Sequence, residues 1–135
     1  MMDEKKFIPE DVFSILFFSE NDVKNLNVLG HTIGLHSHNH PTLLEKLNYS
    51  EQKNEYEKCL FMLSKILGTE KNTIKSMSHP CGSYNDNTLQ ILKGLNIELG
   101  FKQIMKIDKG MKNINNSNLE IAREDHSNIL RRINK

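Results

Sequence analysis

Along this 135-residue chain, stretches with apolar residues at helical spacing alternate with short apolar runs that end at glycine or proline. The first helical stretch is PEDVFSILFF, residues 9–18, with Pro9 suited to an opening turn. A second follows in SENDVKNLNVLG, residues 19–30. There Ser19 and Asp22 have capping-box spacing, Val23, Leu26 and Leu29 keep the helical period, and Gly30 closes the end. HTIGLHS, residues 31–37, predicts a short strand that leaves into the loop HNHPT. The longest helix is predicted over residues 50–68, capped by Ser50 and ended by Gly68. Tyr56, Leu60, Leu63 and Leu67 line one face of it, and Phe61 and Met62 read as core or shoulder positions.

NTIKSMSHP predicts the next strand, stopped by Pro80. CGSYNDN turns the chain into the helix DNTLQILKGL, closed by Gly94, and NIELGFKQI predicts a further strand. KGMKNINNSN, residues 109–118, is a polar loop; LEIARED reads as the last strand and HSNILRRINK as a terminal helix. Strands alternating with helices predict a parallel α/β arrangement with right-handed crossovers. In such folds the loops leaving the carboxyl ends of strands carry the site. Two unusual loops leave strands there: the histidine-rich GLHSHNHPT and SHPCGSYN.

Composition narrows the class. The length predicts a single domain, residues 1–135, and 37% hydrophobic with 26% charged residues suits a globular one. Lysine plus arginine (18) balances aspartate plus glutamate (17), with no basic stripe before the short tail LRRINK, so no nucleic-acid partner is expected. Cys59 and Cys81 are too few and too far apart for a disulfide framework or a cysteine-based zinc site. Reduced thiols suit a cytoplasmic protein. The opening MMDEKKFIPEDVF lacks a signal-peptide run, and no apolar stretch approaches a membrane span.

GLHSHNHPT places three of the six histidines within five positions. Neutral imidazole is a common ligand for zinc and related ions. On an extended strand His36 and His40 would lie about 13 Å apart, too far to share an ion. If the strand ends near Ser37 and the chain makes one turn, residues i and i+4 approach to about 6 Å. His36 and His40 are then the pair, His38 points elsewhere, and Pro41 keeps His40 from continuing a helix. The plainer alternative is a set of polar loop histidines without a ligand. The nuclease-like string HNH lacks the surrounding hairpin and helix, and Ser37 stands where a zinc protease needs glutamate.

GHTIGLHSHNHPTLLEKL resembles the second motif of the polysaccharide deacetylases, the NodB-homology group of carbohydrate esterase family four. That motif has the form G-H-x-I-G-x-H-[ST]-x-x-H, matched in register by His31, Gly34, His36, Ser37, His40 and Pro41. SHPCGSYN is similar to the third motif in its Y-P-x-G-x-Y-N form, and LEIAREDHSNIL resembles the closing segment more weakly. The resemblance implies a distorted (β/α) barrel with parallel strands and flanking helices. It implies a divalent metal, usually zinc, on His36 and His40, and hydrolysis of an N- or O-acetyl group on a saccharide or cell-envelope glycan precursor. By position, the Cys81 N–H would meet the developing oxyanion. His126 would be the general acid, with Arg123 and Asp125 as its orienters. Ser37 would brace the loop between the ligands, and Tyr84 and His79 would contact substrate. Turn formation or capping explains Ser37, Tyr84, Asn85 and His126 equally simply, and His79 reads also as a strand-end residue without a catalytic task.

The sequence departs from the family pattern: Ser78-His79 stands where the third motif often begins with arginine, no D-x-x-D-W-like fourth motif is visible, and the first motif is missing. The Asp-Asp motif that supplies the base and the third ligand should precede the histidines by several dozen residues. Only 35 residues precede His36, and Asp3, Asp11 and Asp22 lie outside any such pair. The expectation is therefore the carboxyl-terminal two-thirds of a deacetylase domain, weakly active or inactive alone, with a partner segment supplying the missing strands. The alternative is a non-catalytic carbohydrate- or partner-binding module with a decayed metal site.

Overall fold

The computed structural model describes residues 16–103 and 117–123, with positions 12, 129 and 133. The helix expected over residues 9–18, the polar loop and the terminal helix lie mostly outside the described residues. Helix α1, Glu20–Val28, starts where the sequence predicts. The Ser19 N–H and hydroxyl both donate to Asp22 Oδ2, at 2.8 and 2.7 Å, and the Asp22 N–H donates back to Ser19 Oγ. That reciprocal pair satisfies two donors the helix cannot satisfy itself.

Helix α2, Tyr49–Leu67, is capped by Asn48 and not by Ser50. Asn48 Oδ1 accepts from the Glu51 N–H at 3.0 Å, while Glu51 accepts from the Asn48 N–H at 2.9 Å. This complete capping box moves Ser50 into the first turn. Gly68 ends the helix in the left-handed region, as expected. Tyr56 and Leu60 are buried, and Leu63 and Leu67 pack against them, whereas Phe61 and Met62 face outward. Helix α3, Asp86–Gly94, is capped by Asn85 and runs through Gly94 to a C-cap at Leu95.

The strands are short: β1 is Ser76–Ser78 and β2 is Leu99–Phe101, paired in parallel. Parallel bridges extend this pair on both sides, Leu35 to Met77 and Ile121 to Phe101. Four chain segments thus lie side by side in sequence order, with α2 and α3 as crossovers. Gly100 has no room for a side chain, since a Cβ there would overlap the Leu119 carbonyl. Leu35, Met77, Leu92 and Ile91 join Tyr56 and Leu60 in the core on the helix-covered side. Residues of opposite parity, Gly34, His36, Ser76, Ser78, Leu99 and Phe101, line an open depression on the other side. Among the described residues the helices pack on one face of this sheet.

Among the described residues no helix is long and apolar enough to cross a membrane. Cys59 is buried, Cys81 is exposed, and both are free thiols.

Candidate functional site

The chain leaves the Leu35 bridge through His36, and two contacts from β1 fix that side chain. His36 Nδ1 lies 2.8 Å from the Ser78 carbonyl oxygen and 3.0 Å from Ser78 Oγ. A carbonyl only accepts, so Nδ1 carries the proton and the Nε2 lone pair is left available. His40 meets His36 edge to face, with ring centroids 4.8 Å apart and planes at 61°. The two imidazoles therefore converge, and both are exposed.

The turn between them is not helical. Ser37 and His40 adopt φ values of 64° and 52°, each unfavourable for a residue with a side chain by roughly 1 kcal/mol or more. Two side chains hold them there. Ser37 Oγ accepts the His40 N–H at 3.1 Å. Glu55 of α2, only 7% exposed, accepts the N–H groups of His38 and Asn39 on Oε2, at 3.0 and 2.7 Å. Its Oε1 accepts the Asn39 side-chain amide at 2.7 Å. Bonds to a charged acceptor contribute about 1.5–3 kcal/mol each, enough to offset the strained backbone. Burial works to raise the Glu55 pKa, but these bonds from Asn39 and His38 together hold it below the ordinary carboxylate range. Sequence reading missed Glu55, because a glutamate in the middle of a charged helix face reads as solvated. The signal available was its place one position before the buried Tyr56.

The second loop lies beside the first. His79 is 2% exposed, its Nε2 donates to the Leu119 carbonyl at 2.8 Å, and its ring stacks on Tyr84 at 4.3 Å. This placement corrects the expectation of a substrate-contacting His79: the ring is core, wedged under the loop. Burial pushes its pKa below the ordinary histidine value. The Tyr84 hydroxyl is also engaged, donating to Glu120 Oε1 at 3.0 Å. Burial first, and the Glu120 carboxylate second, push the Tyr84 phenol up to about 12. Cys81 sits at φ 51° on the exposed crest between Pro80 and Gly82.

Arg123 is exposed just beyond the Ile121 bridge, and Asp125 and His126 lie outside the described residues, as do Asp3 and Asp11. Asp22 is occupied as the partner of the α1 cap. Among the described residues no group of three histidine, cysteine or acidic side chains is placed to hold a metal ion. The two histidines that the structure brings together are His36 and His40, exposed at one rim, with Ser37 and Glu55 behind them.

Comparison with known proteins gives this geometry a context. The family model described as polysaccharide deacetylase matches residues 7–100. Among curated proteins there is no match. Among solved structures the chain is similar to the Streptococcus pyogenes deacetylase PplD, determined in complex with acetate. The identity is 26% and the TM-score 0.65, over 84% of this chain and 46% of that one. It is similar also to the deacetylase domain of BpsB from Bordetella bronchiseptica, at 16% identity and TM-score 0.63, over 80% and 48% of the two chains. A further likeness is to BA3943 of Bacillus anthracis, a CE4 family pseudoenzyme, at 19% identity and TM-score 0.52, over 58% and 26%. The chain spans less than half the length of these solved proteins. Its arc of parallel strands with flanking helices is part of their barrel.

Proposed function

Because this chain belongs to the polysaccharide deacetylase family, we propose that it carries the histidine half of a divalent-metal site, with zinc the fitting ion, in a hydrolase that removes N- or O-acetyl groups from a saccharide. The observation that carries this reading is the convergence of His36 and His40 at 4.8 Å, with His36 Nδ1 committed to Ser78. A bound divalent cation supplies Lewis-acid polarisation of the acetyl carbonyl and acidifies a water. His36 and His40 hold the cation through their free nitrogens. Ser37 keeps His40 on the correct side of the turn. The Cys81 N–H, presented on a left-handed crest, meets the negative charge that develops on the carbonyl oxygen. His126, oriented by Arg123 and Asp125, returns a proton to the leaving group. Tyr84, tied to Glu120, shapes the rim from below. The substrate is an acetylated saccharide or cell-envelope glycan precursor, and the sheet edge beside the Leu35 segment is where further strands, from a partner segment, complete the barrel.

Zinc titration of the purified chain by calorimetry tests the site, with the double variant His36→Ala/His40→Ala as control. Acetate release from acetylated chitooligosaccharide or peptidoglycan fragments tests the chemistry. Zinc uptake that the double variant loses is the expected result, with acetate release by the chain alone weak or absent. No zinc uptake at all overturns the reading. The alternative, a non-catalytic carbohydrate- or partner-binding module with a decayed metal site, expects no zinc uptake.

A further inference from the structure

The two histidines are held from opposite sides. His36 is fixed from the sheet through Ser78, whereas among the described residues the His40 ring has no comparable hydrogen bond; its place follows the backbone of residues 37–40. That backbone wraps one carboxylate. We propose that Glu55 is a positioning residue for the histidine pair: by gathering the N–H groups of His38 and Asn39 and the Asn39 amide, it imposes the bend that turns His40 toward His36. The inference rests on the reading of that pair as a cation site.

Two successive N–H groups reach a single oxygen, Glu55 Oε2, only if the chain curls around it, the concave arrangement that backbone amides adopt around an anion. Ser37 and His40 flank this curl, and both are left-handed. Without the carboxylate, His40 relaxes toward the common right-handed region, a change in φ of roughly 110°. Such a rotation swings the imidazole away from its partner. Three donors converge on Glu55, so an acceptor is required there. Glutamine can also serve, because rotating the Asn39 amide lets its oxygen accept from the new side-chain N–H. Alanine leaves the three donors unpaired in a part-buried place.

The test uses the whole chain at a temperature where circular dichroism shows every variant folded. Glu55→Ala is expected to weaken zinc binding about 10–100-fold, as loss of a ligand-supporting contact commonly does. Glu55→Gln should recover most of that loss. Asn39→Ala, which removes one contact from the loop side and leaves the helix untouched, should cost roughly 2–10-fold. In the metal-free protein, backbone scalar couplings of Ser37 and His40 should lose their left-handed signature in Glu55→Ala. A purely structural Glu55 would lower the melting temperature and leave zinc affinity and couplings unchanged, and that outcome overturns the proposal. If Glu55→Ala does not fold, unchanged affinity and couplings in Asn39→Ala overturn it instead. If the wild-type chain takes up no zinc, the cation-site reading fails, while the couplings still decide the role of Glu55.

Discussion

His36 and His79 stand at the ends of adjacent parallel segments, and the fold uses them in opposite ways. His36 protonates Nδ1, which faces the Ser78 carbonyl, and presents Nε2 at an exposed rim. His79 protonates Nε2, which faces the Leu119 carbonyl, and keeps Nδ1 buried without a hydrogen-bond partner among the described residues. One imidazole stands exposed beside a second histidine, the pair proposed to hold a cation; the other is a polar core residue stacked on Tyr84. Proximity to a site and participation in it are thus separate properties. Which nitrogen meets a backbone carbonyl, and how much water reaches the other, divides them.

The largest effect expected from breaking this contrast is on stability. His79→Ala removes a fully buried ring, its stack on Tyr84 and its bond to Leu119, and should cost about 2–4 kcal/mol. His36→Ala, at an exposed position, should stay within about 1 kcal/mol. Urea denaturation measures both, and equal losses would erase the distinction. Zinc affinity should show the reverse order. His40→Ala should weaken binding more than tenfold, at least about 1.4 kcal/mol, while any folded His79 variant leaves it within a factor of about two.

The pattern explains what could be read from residues alone. The i and i+4 pairing of His36 and His40, the Ser19–Asp22 cap and the strand–helix alternation follow from spacing, which sequence displays directly. The cap at Asn48 was displaced by only two positions, because Ser50 and Asn48 are both good caps and only the reciprocal bond to Glu51 separates them. The burial of His79 and the clamp by Glu55 depend on contacts 40 and 16–17 residues away along the chain. No local pattern encodes those. The turn was expected to resemble a helical one, and its left-handed Ser37 and His40 accompany hydrogen bonds to Glu55 and Ser37 Oγ that no local pattern announces.

A smaller effect is a pH dependence with a defined sign. Burial lowers the folded-state pKa of His79 below 6.5, so the unfolded chain takes up a proton that the folded chain refuses. The stability this neutral ring contributes is intact above about pH 6.5 and declines as pH falls below it. Between pH 7 and pH 5.5 the loss should reach up to about 1 kcal/mol. His79→Phe, although less stable throughout, should show a flatter profile over that interval. Glu55 acts in a lower window. Its depressed pKa contributes stability above about pH 4.5, its ordinary value, which is lost as pH falls further. Denaturation midpoints at pH 7, 5.5 and 4 separate the two groups.

The smallest effect expected is also the sharpest test of the tautomer. Ser78 offers His36 Nδ1 two oxygens, the carbonyl at 2.8 Å and the hydroxyl at 3.0 Å. If Nδ1 carries the proton, the carbonyl is the principal acceptor and the hydroxyl a secondary one. Ser78→Ala then keeps the main bond, and zinc affinity should fall by less than about threefold, a fraction of an ordinary hydrogen bond. If the hydroxyl were instead donating to a bare Nδ1, the carbonyl would face a lone pair and Nε2 would carry the proton. The ring could then accept a cation only after moving its proton, and Ser78→Ala would raise affinity by releasing it. Nitrogen chemical shifts of His36 in the metal-free chain distinguish the two states independently. A protonated Nε2 there would align His36 with His79 and remove the difference on which the cation site depends.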